Sequence, residues 1–378
     1  MFYNIYLDNA STSFPSKKVL NCLTNLNYYY NASNLYTIQL QKDIEDVRKK
    51  IMNKFNKNIG TIIFTSGACE ANTTILRSVI LQNYKANKVP HIITSSIEHH
   101  SVLSCLEYYE KLKLCEVSYI KPNKKGIIPP EAVELAVRPN TVLIHIIHGN
   151  NETGSENNLE ALSSIANKIG ILCAYDCTQT LGKIPIISGD CDFLTFSGHK
   201  FGGPKGVGGF YCKDKTLIEP LIYGGNQEFG LRAGTYNSPS IIAMGVALEE
   251  VHNDSNIALK GLCILKRYAS NLLKEMFQDD LIINGDEYSS LPVLNFSLKG
   301  IVGEAASMQL ADKGIFVSNG SACNTGDLRP SYVLTEMGIS EDSANEAIRI
   351  SFNINNTLEE IEIFCKELNK IYKQYKGE

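Results

Sequence analysis

Ile171-Leu172-Cys173-Ala174-Tyr175 running into Asp176, and Phe193-Leu194-Thr195-Phe196 running into Ser197-Gly198-His199-Lys200, are the stretches on which the reading of this chain turns. Each is a short continuous apolar run, the pattern of a parallel strand buried on both faces. Such strands place functional groups at their carboxyl ends. One rim of a sheet therefore receives a carboxylate from the first strand and a hydroxyl, an imidazole and an amine from the second. That set suits pyridoxal phosphate: a lysine amine condenses with its aldehyde, a carboxylate keeps its pyridine nitrogen protonated, and donors neutralise its phosphate. A surface lysine beside the turn Phe201-Gly202-Gly203-Pro204-Lys205-Gly206 is the competing reading. Asp176 at the preceding strand end weighs against it.

Outward from these strands the chain alternates. Thr61-Ile62-Ile63-Phe64 is followed by a helical pattern from Ala68, His91-Ile92-Ile93-Thr94 by one from His100, and Thr141 to Ile147 opens another unit. Strand and helix in turn predict an α/β layered domain on a mostly parallel sheet. A helix near Ile241 to His252 then leads to a different pattern. A helix over Leu259 to Met276, short strands at Leu281 to Ile283 and Val293 to Leu298, and a final amphipathic helix over Leu358 to Tyr375 predict a smaller α+β domain. The expected division is a large domain over 14–255 and a small one built from 1–13 and 256–378.

The chain's 378 residues are enough for two domains, and 44% hydrophobic with 20% charged content is ordinary for a globular protein. A net charge of −4 leaves no electrostatic footprint for nucleic acid. No basic-then-apolar leader and no run of membrane-spanning length is present, so no membrane association and a cytoplasmic location are expected. The eleven cysteines sit mostly singly in apolar segments, as at Cys22, Cys105, Cys115, Cys212 and Cys263, and no paired CxxC occurs. This predicts core thiols in a reducing compartment, with no structural metal.

Other segments carry polar chemistry at strand ends. Thr65-Ser66-Gly67-Ala68-Cys69-Glu70-Ala71-Asn72 opens a helix, so its backbone amides form a phosphate cup or, on the plainer reading, Ser66 caps the helix. Glu98-His99-His100 offers an imidazole to stack on a flat ring and move protons, with a satisfied structural histidine as the plainer alternative. Asn150-Asn151-Glu152-Thr153-Gly154 and Gln179, one helical turn past Asp176, bring amides toward a phenolic oxygen. An Asn/Gly turn is the alternative for the first of these. Ser318-Asn319-Gly320-Ser321-Ala322-Cys323-Asn324-Thr325-Gly326 sets one thiol in a loop of small polar residues, a nucleophile if a neighbour activates it or else an accidental surface cysteine. Arg349, in the strand-like Ala347 to Ser351, is placed to clamp a carboxylate or to form a peripheral salt bridge.

In order and spacing these segments resemble the cysteine desulfurases of the NifS/IscS type, class-V aminotransferase-like enzymes of fold-type I. The similarity includes Tyr6 to Ala10, Phe64 to Asn72, Glu98 to Leu103, His148 to Gly154, Asp176 to Gln179, Ser197 to Gly209, Arg232 to Thr235 and Ser318 to Cys323. The resemblance implies a fold-type I transferase with a seven-stranded sheet in its large domain, and pyridoxal phosphate as cofactor. It makes Lys200 the Schiff-base lysine, Asp176 the partner of the pyridine nitrogen and His99 the stacking histidine. Gln179 and Asn151 lie by the ring hydroxyl. Ala68, Cys69, Ser197 and His199 hold the phosphate, with Thr235 supplied by the other subunit of a homodimer. Arg349 and Asn151 receive the substrate, L-cysteine, and Cys323 takes its sulfur as a persulfide, releasing alanine and passing the sulfur to an acceptor protein.

The chain departs from the family pattern at Cys69, where threonine is usual in the phosphate cup, at Ala32 and Tyr36, and at Asn319 in the cysteine loop. Its end at Glu378 leads us to expect no carboxyl-terminal scaffold-docking extension, so a tRNA-thiolation enzyme is as good an acceptor as an iron–sulfur scaffold or a thio-cofactor pathway. A selenocysteine lyase, another fold-type I enzyme and a non-catalytic partner in sulfur assembly stay open.

Overall fold

The computed structural model describes residues 2–32, 37–251, 255–319 and 330–377. Cys323, Gly320 to Ala322 before it, and Tyr36 lie outside the described residues. Strands are β1 Ile5–Tyr6, β2 Thr61–Thr65, β3 His91–Ser95, β4 Glu116–Ile120, β5 Thr141–Ile147, β6 Leu172–Asp176, β7 Phe193–Ser197, β8 Gly208–Cys212, β9 Leu281–Asn284, β10 Val293–Leu298, β11 Ile315–Phe316 and β12 Ala347–Ser351.

Seven of them form one sheet in the order β2-β8-β7-β6-β5-β3-β4. Only β8 runs against the rest, pairing antiparallel with both β2 and β7. Successive side chains alternate between two buried faces. Ile63, Ile92, Leu143, Ala174, Phe193 and Phe210 pack into one cluster with Ile75, Val79 and Leu106 of the helices Ala68–Asn83 and His100–Lys111. Ile62, Ile93, Ile144, Tyr175, Leu194 and Phe196 pack into another with residues of the helices Ile38–Lys54, Leu159–Ile169 and Ser238–Glu250. Burial on both faces explains why these strands read as continuous apolar runs. The helix expected near Ile241 to His252 is the last of these.

A three-stranded antiparallel sheet, β12-β10-β9, and the parallel pair β1-β11 make up the rest. Ile5 and Leu7 join Leu294, Phe296, Ile348 and Ile350 in a separate cluster with the helices Ser255–Phe277 and Leu358–Lys376. The first of these begins four residues earlier than the sequence pattern suggests. The amino-terminal strand thus belongs to this second core, and the chain after it, residues 8–13, crosses to the large sheet. Ser13 N–H donates to the His199 carbonyl at 2.9 Å. Among the described residues no helix is long and apolar enough to cross a membrane.

Candidate active site

The carboxyl ends of β2, β3, β5, β6 and β7 open on one cavity of about 470 Å³. Its wall includes Ala68, Cys69, His99, Asn151, Asp176, Gln179, Ser197, His199, Lys200 and Arg349, which the sequence had nominated from six separate segments. Thr235 is not in this wall and stands exposed.

Asp176 ends β6, directly beside β7 in parallel register with Thr195. Its carboxylate is buried, and both oxygens are occupied: Oδ1 accepts from the Thr178 amide at 2.9 Å and Oδ2 from Asn72 Nδ2 at 2.9 Å. The same Nδ2 donates to Ser101 Oγ at 3.0 Å, and Ser101 meets His99 Nδ1 with its hydroxyl at 2.9 Å and its amide at 3.1 Å. An amide on Nδ1 makes that nitrogen the acceptor, so the neutral ring carries its proton on Nε2. Burial pushes the His99 pKa below its ordinary value; the Asp176 carboxylate opposes this and the charges of Lys200 and His100 add to it.

At the far end of the cavity the helix Ala68–Asn83 points its amino terminus at the rim. Its first amides lack intrahelical acceptors and carry the positive end of the helix dipole. Ser66 does not cap this helix; Gly67 holds the N-cap position without a side-chain bond. Instead Glu70 reaches back to accept from the Ser66 amide at 2.8 Å and binds Arg232 Nε at 2.9 Å. Ser197 Oγ would lie 3.3 Å from a Cβ placed on Gly67, so the hydroxyl borders the same turn. Gly208 makes this approach feasible, since a Cβ there would fall 2.7 Å from the Gly67 Cα and 2.5 Å from the Phe196 carbonyl oxygen. His199 Nδ1 contacts Thr12 Oγ1 at 3.2 Å. Burial, then the charges of Lys200, Lys205 and Lys183, pushes His199 down to about 4, leaving a neutral ring at pH 7.

Lys200 stands in the short 3-10 turn Gly198–Phe201 after β7. Its Nζ donates to the carbonyls of Ala10 at 2.8 Å and Ser11 at 2.9 Å. Gln179 also donates to the Ala10 carbonyl, at 2.8 Å, from a run of turns rather than the helical turn expected. In the Asn150–Gly154 segment the two asparagines divide the work. Asn150 Oδ1 accepts the amides of Glu152 at 2.9 Å and Thr153 at 3.1 Å, which builds the turn, and Asn151 lines the cavity.

Arg349 projects from β12 into the opposite wall and is 2% exposed. Nη1 donates to the Asn151 carbonyl at 2.9 Å, and Nη2 to Asp8 Oδ1 and Ser11 Oγ, each at 2.7 Å. Its Nε is buried and has no hydrogen-bond partner among the described residues. Glu152 shares this wall and takes the Ser331 hydroxyl on Oε2. Burial raises its pKa to about 7, against the lowering effect of Ser331 and Arg349.

A family model described as aminotransferase class-V matches residues 5–364. The chain belongs to that family. Within it, the chain is of the NifS/IscS type. It is 34% identical over 377 residues to the cysteine desulfurase IscS of Dictyoglomus turgidum, across 98% of this chain and 95% of that protein. A solved NifS-like protein superposes with a TM-score of 0.89 at 32% identity, covering 98% of this chain and all of that one. A structure titled SspA in complex with cysteine superposes at 0.79 with 30% identity, over 94% of this chain and all of that one.

Class-V aminotransferases of this type are pyridoxal-phosphate enzymes, and this cavity fits the group. A helix amino terminus, a hydroxyl and a neutral imidazole converge at one end, an acid fixed by two donors lies beside β7, and an amine reaches in after it. Sequence reasoning missed Asn72, Glu152, Ser331 and the Ala10–Ser11 carbonyls. Asn72 had a signal, because helical spacing sets it on the side of Ala68 and Cys69 that faces the rim. The others meet the cavity only through long-range packing.

Proposed function

We propose that this chain is a pyridoxal-phosphate-dependent cysteine desulfurase that converts L-cysteine to L-alanine and retains the sulfur as a persulfide on Cys323. The observation that carries the reading is the meeting of Asp176, Lys200 and Arg349 on one cavity. When bound, the cofactor supplies an electron-poor ring that stabilises negative charge at the substrate Cα. Lys200 Nζ would hold the group and would serve as the base for the substrate Cα proton. Asp176, braced by Asn72 and Thr178, would keep the pyridine nitrogen protonated, and His99 would lie against the ring. The amides of Ala68 and Cys69, with Ser197 and His199, would hold the phosphate. Gln179 and Asn151 face the ring hydroxyl, and Arg349, helped by Asn151, takes the substrate carboxylate.

Cys323 acts as a thiolate on the substrate sulfur. A sulfur–sulfur bond forms, the carbon–sulfur bond breaks with its electron pair left on carbon, and that carbon gains a proton to become the methyl group of alanine. Cysteine and enzyme thiol in, alanine and enzyme persulfide out, balances without an added oxidant. A relative whose structure is titled as a complex with cysteine supports this substrate. We further propose a homodimer in which Thr235 serves the partner's phosphate site, a large domain over 14–255 with the remainder as the small one, a protein acceptor for the sulfur, and a cytoplasmic location.

The test is spectroscopic and chemical. Purified protein should show a visible absorbance band that borohydride bleaches, and should form alanine from cysteine without added keto acid. The Cys323→Ala variant should keep the band and lose persulfide. A wild-type protein without the band, or alanine formation that requires a keto acid, would reject the proposal.

A further inference from the structure

We infer that Lys183 is a positioning residue for the cofactor: by taking Gln179 Oε1 it fixes the amide so that Nε2 is the atom presented along the Lys200 rim. The inference rests on the reading of Lys200 as the cofactor-bearing lysine and names a residue that neither the motif pattern nor the cavity wall identifies.

Three bonds carry it. Lys183 Nζ donates to Gln179 Oε1 at 3.0 Å. Gln179 Nε2 donates to the Ala10 carbonyl at 2.8 Å. That same carbonyl accepts from Lys200 Nζ at 2.8 Å. A flipped amide would set its oxygen against the Ala10 oxygen and its two N–H groups against the Lys183 amine, losing both bonds. Gln179 is buried, so water cannot repair the loss. The amide therefore has one orientation, which Lys183 and the Ala10 carbonyl fix together. Lys183 is half-buried and lines a second cavity of about 490 Å³, which has Lys200 in its wall as well.

The surroundings of this amine are electropositive. Lys200 and Arg349 face it from the cofactor side, His199 lies within its field, and Glu250 lines the second cavity with it. Burial first, then the charges of Lys200 and Arg349, lowers Lys183 to about 7. Losing the proton does not release Gln179, because a neutral amine still donates. The orientation thus persists on both sides of this titration.

Nε2 carries a second N–H, which, if it met the ring oxygen of the bound cofactor, would compete for that oxygen with the proton carried on Lys200 Nζ and favour its loss. The experiment is a pH titration of the visible band in the holoenzyme. In Lys183→Met the midpoint should rise by about one pH unit, a tenfold change in the proton equilibrium. Lys183→Arg, which keeps the donor, should titrate with the wild type. In a Gln179→Leu background, Lys183→Met should shift the midpoint no further. A wild-type midpoint in loaded Lys183→Met, a displaced midpoint in Lys183→Arg, or an equal shift with and without Gln179 would each overturn the inference. A merely structural lysine would alter cofactor content without moving the midpoint. Failure of the wild type to show a visible band at any pH would instead remove the underlying reading.

Discussion

Asn72 Nδ2 lies 2.9 Å from Asp176 Oδ2 and 3.0 Å from Ser101 Oγ, tying the acid at the end of β6 to the hydroxyl that touches His99. One side chain from the helix Ala68–Asn83 therefore orients a carboxylate at the end of β6 and a hydroxyl in the first turn of the helix His100–Lys111. Asn72→Ala should weaken cofactor retention about tenfold or more, since a lost hydrogen bond to a buried charged group costs about 1.5–3 kcal/mol. Equilibrium dialysis of cofactor against the wild type and the variant measures it. Equal retention would show that Thr178 alone suffices to hold Asp176.

Arg349 has Nη1 and Nη2 committed within the protein and Nε buried with no partner among the described residues. Lysine cannot reproduce that fork. Arg349→Lys should raise KM for cysteine on the order of tenfold to a hundredfold, the loss of a charge-assisted hydrogen bond, with the visible band retained. Circular dichroism controls for collapse of the Asp8 pair. An unchanged KM would mean that the substrate carboxylate binds elsewhere.

Glu152 gives a pH dependence of stability. Its pKa rises from an ordinary value near 4.5 to about 7 on folding, chiefly by burial. Between those values the native protein holds a proton that the unfolded chain has released. Its stabilising contribution is thus complete below pH 4.5 and is lost as pH rises through 7. The loss is on the order of 3 kcal/mol. Glu152→Gln keeps an acceptor for Ser331 and abolishes the titration. Urea midpoints at pH 5 and pH 8 should lie closer together in the variant than in the wild type, and an unaltered difference would contradict the assignment.

Cys69 is exposed at the helix amino terminus, where a thiol is a weak donor. Cys69→Thr should slow loss of cofactor several-fold on dialysis against phosphate-free buffer. No change would show that the backbone amides and Ser197 carry that end of the site by themselves.

Much of this was readable in the chain because buried parallel strands announce themselves. Asp176 ends β6 and Lys200 follows the end of β7, strands that are neighbours both in sequence and in the sheet, so proximity along the chain matched proximity in space. Arg349 came only through its motif, since its route to the cavity runs by β12 and the Asp8–Ser11 crossing. No motif marked Lys183, and Glu152 lay inside a segment that also reads as an Asn/Gly turn. Their surroundings are assembled from residues 10, 179, 200, 331 and 349, a set that no periodicity reveals. The Ser66 cap failed for a local reason. Gly67 entered the cap position, and Glu70 reached back to the amide that Ser66 would have left exposed.

The most direct measurement is the mass of the Cys323 peptide after the holoenzyme has been incubated with L-cysteine and quenched without reductant. The account predicts one added sulfur atom on Cys323, with one alanine released for each sulfur bound. Alanine release with an unmodified Cys323, or sulfur carried on a different cysteine, would contradict it.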